Sequence, residues 1–198
     1  MGATWNYKLT GPIPDTFIRS ITSVESDGFS DQDVFGTGVT REGKWKCENG
    51  GLTALNPANG GSASVSSENV YVDFFTTESN GLTLPALLNT GDVWTQNTTI
   101  EGTEDINGSK IPAKNEYAST CKVAGLESLT VEAGTFDAVK VDCQIVMNIT
   151  VTIQGSPIIT TVTLNATNWY AEKVGLLKTV TTGSNLDSSV ELVSFNIP

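Results

Sequence analysis

The stretch "LESLTVEAGTFDAVKVDC", residues 126–143, decides the fold of this 198-residue chain. After Gly134, apolar and polar residues alternate without a break, and the apolar positions are Val139, Val141, Cys143, Ile145, Met147 and Ile149. A period of two is typical of a strand with one solvated face. Residues 132–135 are polar or small, and Gly134 can supply the positive φ that a hairpin loop needs. The stretch therefore predicts a reversal between two strands rather than a catalytic loop.

Alternating runs separated by turn sequences recur along the whole chain. Residues 154–157 and 174–175 predict two further reversals, and a slip in alternation between Leu192 and Val193 predicts a bulge. We count roughly eleven to thirteen strands by these signals. The segment "LPALLNTG", residues 84–91, has the only helical pattern, about two turns long. The sequence predicts a mainly β protein: one domain over residues 1–198, an antiparallel meander forming an open half-barrel or strongly curved sheet with little helix.

Charge and composition exclude several classes of function. The net charge of −11 disfavours nucleic acid and anionic lipid surfaces, which both require clustered Lys and Arg. We expect no transmembrane segment, because no run of about 18 apolar residues occurs. The chain contains no histidine, which excludes Ser-His-Asp and Cys-His catalysis and His-ligated metals. The sequence predicts no catalytic residues and no cofactor, and the protein is not expected to be an enzyme.

The three cysteines, Cys47, Cys121 and Cys143, allow one disulfide and one buried thiol in three pairings. A hairpin centred near Gly134 places Cys121 opposite Met147, about four residues out of step with Cys143. A bulge near Ala124 and Gly125 would absorb that shift, and pairing of Cys47 with Cys121 is equally open. No C-x-x-C spacing is present, so redox or iron–sulfur chemistry has little support.

Two acidic segments are candidate sites. Glu25, Asp27, Asp31 and Asp33 are close in sequence, and oxygen ligands at short spacing can bind calcium, although the order of an EF-hand loop is absent. Glu101, Glu104 and Asp105 form the second group. Two carboxylates on one loop rarely flank a sugar bond from opposite sides, so glycoside hydrolysis is disfavoured there.

Two motifs resemble a known family. "GLESLTVEAGTFDAVKV" and "NWYAEKVGLLKT" resemble turn and aromatic-strand motifs of TapB-like bacterial extracytoplasmic domains of unknown function, and "LPALLNTGDVW" resembles an upstream element of that family. The resemblance spans Leu84–Lys178, with Glu132 and Glu172–Lys173 departing from the family pattern. It implies a distant similarity to LolA/LppX-type half-barrel lipoprotein carriers, whose curved sheet offers an apolar concave face.

The resemblance implies a non-catalytic domain that is secreted, periplasmic or lipid-anchored behind a leader not present in this chain. Its ligand would be a lipid or another apolar or amphiphilic small molecule. Trp94, Trp169 and Tyr170 are the candidate ligand-binding residues, although core packing is the ordinary role of such rings. The alternative is a structural or adhesive surface module that binds carbohydrate through exposed tryptophan. Alternation alone also does not separate a soluble sheet from a small outer-membrane barrel.

Overall fold

The computed structural model describes residues 2–55, 71–106, 108–184 and 186–198, with the side chains of all but 71–75 and 104–106 of these. Strands make up 77% of the structure, and the described residues contain no helix. The strands are β1 (Thr4–Thr10), β2 (Asp15–Val24), β3 (Gly28–Phe35), β4 (Thr40–Glu48), β5 (Gly51–Ala54), β6 (Tyr71–Gly81), β7 (Val93–Ile106), β8 (Ser109–Val131), β9 (Gly134–Ile153), β10 (Ser156–Ala171), β11 (Gly175–Thr182) and β12 (Ser188–Asn196). The expected count of strands is confirmed.

All twelve strands belong to one antiparallel sheet in the order β5-β4-β3-β2-β1-β12-β11-β10-β9-β8-β7-β6. Neighbours in the sheet are neighbours in the sequence except for β1 and β12, the first and last strands, which pair with each other. The sheet curls into a nearly closed barrel with one open seam, between β5 and β6. The predicted antiparallel meander is confirmed, and pairing of the two ends of the chain moves its opening to the middle of the sequence.

The β8–β9 hairpin is the longest pairing in the barrel. Its reversal lies at Glu132–Ala133, with Val131 opposite Gly134, whose φ of 139° lies in the region that favours glycine. Ala124 is an extra residue in β8, because the register shifts between Val123 and Gly125. The reversals predicted at residues 154–157 and 174–175 are confirmed, with the turns lying between Ile153 and Ser156 and between Ala171 and Gly175. So is the bulge near the end of the chain, where Val193 is skipped between the partners of Asn6 and Tyr7.

One apolar cluster lies where the hairpin tip meets the paired ends of the chain. Its fully buried members include Leu177, Leu192 and Ala138, each 0% exposed. The Ala133 N–H donates to the Leu192 carbonyl over 3.3 Å. The rings of Phe136 and Phe195 lie 6.2 Å apart between centroids. The hairpin tip therefore packs against β12 rather than projecting into solvent.

The expected helix at residues 84–91 is wrong. Leu84 instead forms an isolated antiparallel bridge with Leu52, and Asn89 and Asp92 close a turn in which the Asp92 N–H donates to the Asn89 carbonyl over 2.9 Å. Pro85 explains the difference, since proline disfavours helical geometry at the residue before it and lacks an N–H. Within the described ranges of the chain, no membrane-spanning helix is present.

Candidate functional site

The inner face of the barrel is the candidate site, and alternation of burial identifies it. Along β8 the odd-numbered residues from 113 to 123 point inward, and five of these six are buried. On β7 the same face carries Trp94, Gln96 and Thr98, because Trp94 is paired with Cys121 and Thr98 with Tyr117. The family resemblance implied an apolar concave face, but the inner face is not continuously apolar. It also buries the polar residues Asp31, Asp33, Gln96, Thr98, Asn115, Ser119, Thr179 and Thr181.

The apolar part of this face is built around a disulfide. Cys121 and Cys143 are opposite each other on β8 and β9, and they are bonded. They form a buried cluster with Val123, Val141 and Ala166. We call this cluster the disulfide wall. Because Tyr117, not Cys121, is opposite Met147, the simple register is wrong, and the alternative with a bulge near Ala124 is confirmed.

Two of the three predicted ligand-binding residues pack against the disulfide wall. Trp94 and Tyr170 both contact it from part-buried positions. The Trp94 indole N–H donates to the Thr83 carbonyl over 3.3 Å. Burial raises the pKa of Tyr170 to about 12, and the nearby Tyr117 also raises it, while Arg19 lowers it. These two rings therefore belong to the same side of the barrel interior.

Trp169 lies apart from the other two predicted residues. It precedes Tyr170 in β10, and consecutive residues of a strand point to opposite faces. Its indole N–H donates to the Glu127 carboxylate, and the Lys140 ammonium lies 5.7 Å from its ring centroid. It packs with the cluster at the hairpin tip. The three predicted residues therefore do not line one surface.

All four tryptophans are part-buried, and each indole N–H has an acceptor within the chain. The Trp5 indole N–H donates to the Val174 carbonyl over 2.8 Å, and that of Trp45 donates to Asp31 Oδ2 over 3.1 Å. A ring that stacks on sugar needs an open face. These positions lend no support to the adhesive alternative.

A buried ion cluster occupies the other side of the interior. Arg19 on β2 donates through Nε to Asp33 Oδ1 over 2.7 Å and through Nη2 to Asp33 Oδ2 over 2.6 Å. Arg19 Nε also lies 3.5 Å from Asp31 Oδ2. The Arg19 guanidinium carbon is 5.8 Å from the ring centroids of both Tyr7 and Phe17. Arg41, paired with Asp33 across β3 and β4, lies on the same face, and its guanidinium carbon is 4.7 Å from the ring centroid of Phe35.

Burial and charge act against each other on these groups. Burial is the largest influence on Arg19 and lowers its pKa, but the hydrogen bond and charge of Asp33 outweigh it, so the pKa of the guanidinium is raised. Burial raises the pKa of Asp31, while Arg19 and the bond from Trp45 oppose that rise. Burial likewise raises the pKa of Tyr7.

The sequence carried a signal for this cluster that we did not use. Arg19 shares the alternate positions of its strand with Phe17 and Ile21, so it lies on their face. Asp31 and Asp33 likewise share the alternate positions of Phe29 and Phe35. A charged residue at an apolar position of an alternating run indicates a buried partner of opposite charge on the neighbouring strand.

The acidic segment considered for calcium is divided by the fold. Asp31 and Asp33 point into the barrel from β3, whereas Glu25 and Asp27 lie in the turn before it. Among the described residues no group of three or more Asp, Glu or Cys could hold a metal ion. Glu101, Glu104 and Asp105 lie along β7, and the side chains of the last two are outside the described part of the structure.

Cys47 is a free thiol and exposed, so the expectation that the unpaired cysteine is buried is wrong.

The seam of the barrel is closed by a small set of hydrogen bonds. Leu52 of β5 bonds through its backbone to Thr83 and Leu84, and the Ala54 N–H donates to the Thr83 hydroxyl over 2.8 Å. That hydroxyl donates to Gln96 Oε1 over 2.9 Å, and Gln96 Nε2 donates to the Ala54 carbonyl over 3.4 Å. We call Ala54, Thr83 and Gln96 the seam clasp. Among the described residues, one backbone bridge and these side-chain bonds therefore close the seam, where other neighbouring strands form a continuous ladder.

The chain belongs to the DUF3108-like family, whose model matches residues 42–192. A predicted exported protein with a YmcC-like fold from Bacteroides fragilis is 14% identical over 99% of this chain and 96% of that chain, with a TM-score of 0.62. A predicted lipoprotein from Parabacteroides distasonis is 19% identical over 98% of this chain and 95% of that chain, with a TM-score of 0.64. No curated protein matches the sequence.

At these identities the two structures show a shared fold. The matched range contains residues 84–178, which carry the sequence resemblance described above. The finer likeness to TapB-like domains and to lipoprotein carriers stays a prediction.

Proposed function

We propose that this protein is a non-catalytic extracytoplasmic domain that binds an apolar or amphiphilic ligand inside its barrel. The observation that carries ligand binding is the combination of an apolar inner wall with a seam held by one backbone bridge and a few side-chain bonds instead of a continuous ladder. The disulfide wall, Trp94 and Tyr170 offer apolar surface. The seam clasp consists of a few hydrogen bonds, each of which contributes roughly 0.5–1.5 kcal/mol net, so opening it is inexpensive compared with opening a paired strand.

The disulfide supports an extracytoplasmic location. Disulfides persist in oxidising compartments and are rare in the cytosol, where thiols are kept reduced. Cys121 and Cys143 are bonded within one hairpin. The names of the two similar structures, an exported protein and a lipoprotein, agree with such a location.

The absence of catalysis is part of the proposal. The chain has no histidine to act as a base near neutral pH. The two buried carboxylates, Asp31 and Asp33, are engaged by Arg19 and Trp45 and are not free to abstract a proton from a substrate.

Binding of the neutral fluorescent probe N-phenyl-1-naphthylamine tests the proposal. Val162 lies on the inner face of β10, and Thr163 lies next to it on the outer face. Val162→Trp should fill the interior and abolish the rise in probe fluorescence, whereas Thr163→Trp adds the same side chain outside and should leave it intact. Wild-type protein that does not bind the probe, or equal loss in both variants, contradicts binding inside the barrel. Native mass spectrometry of the purified protein would show whether it carries a ligand from its host.

A further inference from the structure

Three polar side-chain atoms on the inner face have no hydrogen-bond partner in the structure. They are Thr76 Oγ1, Thr98 Oγ1 and Asn115 Oδ1, on β6, β7 and β8. Thr98 is 3% exposed and Asn115 is 2% exposed. Native proteins rarely leave buried polar atoms unpaired, because the loss of hydration is not compensated, and such atoms usually bind water or a ligand.

These three side chains lie on one patch of the inner wall. Ile100 of β7 is paired with Thr76 on one side and with Asn115 on the other. Thr98 precedes Ile100 by two residues and therefore shares its face. Strands in a sheet are about 4.8 Å apart, so the three residues lie within about 10 Å of one another. We call Thr76, Thr98 and Asn115 the polar patch.

The polar patch and the disulfide wall occupy different levels of the same inner face. Trp94, which packs on the disulfide wall, is four residues from Thr98 along β7. Four residues of an antiparallel strand span about 13 Å. A ligand with a polar head at the patch would therefore place an apolar chain along the wall toward Trp94.

Charge limits what the head can be. Arg19 is engaged by Asp33 and Asp31, and the three side chains of the polar patch are themselves uncharged. An anionic head buried at the patch would gain no opposite charge from these three side chains, and burial of an unpaired charge is costly. Asn115 Oδ1 can only accept a hydrogen bond, and a threonine hydroxyl can donate or accept. A head that carries hydroxyl groups matches both requirements.

We propose that the polar patch is a subsite for the uncharged, hydroxyl-bearing head of an amphiphile whose apolar chain lies against the disulfide wall. This inference rests on the proposed function and specifies its ligand class. It separates neutral amphiphiles, which the site should prefer, from fatty-acid anions of the same chain length.

Calorimetric titration with 1-monolauroylglycerol and with laurate, both below their aggregation concentrations, tests the preference. Wild-type protein should bind 1-monolauroylglycerol about tenfold more tightly than laurate. Thr98→Val and Asn115→Leu should each weaken the binding of 1-monolauroylglycerol about tenfold, which corresponds to the loss of one good hydrogen bond. Neither substitution should change the affinity for laurate. Thr95→Val, on the same strand but on the outer face, is the matched control and should change neither affinity.

Thermal unfolding without amphiphile supplies an independent measurement. Thr98→Val preserves the shape of the side chain and favours a strand, so it should fold and should raise the melting temperature by removing an unpaired buried hydroxyl. If Asn115→Leu does not fold, the affinities of Thr98→Val are sufficient to test the subsite. A lowered melting temperature would show that the hydroxyl has a structural partner, and the subsite would be rejected.

The outcomes separate the subsite from the proposed function. If both amphiphiles bind equally well and the variants change neither affinity, the subsite is wrong while binding inside the barrel stands. If neither amphiphile nor the naphthylamine probe binds wild-type protein, the proposed function is wrong and the subsite falls with it.

Discussion

Arg19 and Asp33, directly opposite each other on β2 and β3, form a two-point ion pair inside the barrel. The exposed fraction of the side chain is 13% for Arg19 and 2% for Asp33. Such a pair is costly to bury, and its removal as a whole is often tolerated, but removal of one partner leaves an uncompensated charge. The pair therefore makes the interior sensitive to single substitutions on β2 and β3.

Arg19→Met should be one of the most damaging substitutions in this protein. It removes the guanidinium that bonds Asp33 and lies beside Asp31, and breaking a buried pair costs roughly 3–5 kcal/mol of unfolding free energy. Urea unfolding at pH 7 measures this loss. The double variant Arg19→Met/Asp33→Leu should recover a large part of it, because the carboxylate that loses its partner is removed as well.

Lys46→Ala is the matched control for Arg19→Met. It breaks the ion pair of Lys46 with Glu48, whose side chains are 46% and 61% exposed. Solvent screens exposed pairs, so we expect no measurable change in the urea midpoint. If Arg19→Met is no more damaging than Lys46→Ala, the buried pair does not stabilise the barrel.

The pH dependence of stability should carry the signature of Asp31. Burial raises its pKa in the folded state, so the folded protein binds a proton more readily than the unfolded chain. The stability contributed by Asp31 is therefore fully present below its unfolded pKa of about 3.9 and is lost as the pH rises through the raised folded value.

Asp31→Asn isolates this effect, because asparagine keeps an acceptor for Trp45 and does not titrate. The unfolding free energy of the wild type relative to Asp31→Asn should fall as the pH increases from about 4. Denaturant unfolding at closely spaced pH values gives the difference between the two proteins. A difference that rises with pH would mean that attraction to Arg19 outweighs burial at this carboxyl.

Loss of the disulfide should destabilise the protein by about 3 kcal/mol, as chain entropy predicts for a loop of this length. The two cysteines are 22 residues apart in the sequence. Paired Cys121→Ser and Cys143→Ser substitutions, compared with the wild type by thermal unfolding, measure the loss. Cys47→Ser is the control and should have no effect, since Cys47 is exposed and unpaired. Alkylation of the native protein should modify Cys47 alone, and any second modified cysteine would argue against the pairing.

The seam clasp should control how readily the barrel opens. Thr83→Val leaves the Ala54 N–H and Gln96 Oε1 without their partner, at a cost of about 1–3 kcal/mol. Hydrogen exchange should accelerate at the amide of Ala54 more than at amides of the β8–β9 hairpin. Thr77→Val, which removes one exposed 3.3 Å bond to the Thr99 carbonyl, is the control. Uniform acceleration across the barrel would indicate global destabilisation instead of local opening.

Much of the strand pattern was predictable because pleating is local. Alternation placed Val141 and Cys143 on the face that the barrel buries, and turn residues located the reversals after residues 153 and 171. The local pattern was less reliable where the backbone forms hydrogen bonds with a distant part of the chain. Residues 84–91 are apolar at helical spacing, yet Leu84 is paired with Leu52, about thirty residues earlier in the sequence.

The disulfide shows how a small local difference changes a distant pairing. Moving the reversal from Gly134 to Glu132–Ala133 shifts the partner of Cys121 by three residues, and the bulge at Ala124 shifts it by one more. Together they replace Met147 with Cys143. A bulge near Ala124 was one alternative consistent with the sequence. The sequence alone did not distinguish it from the others, because register depends on hydrogen bonds formed across the whole hairpin.

The sequence alone determined that this is an acidic, histidine-free β protein with a single antiparallel meander, since composition and a period of two need no long-range contacts to be recognised. Only the tertiary structure decided that β1 pairs with β12, that the seam lies between β5 and β6, and that Arg19 meets Asp33 inside the barrel. These features depend on which distant backbones come together, and a local pattern does not encode that choice.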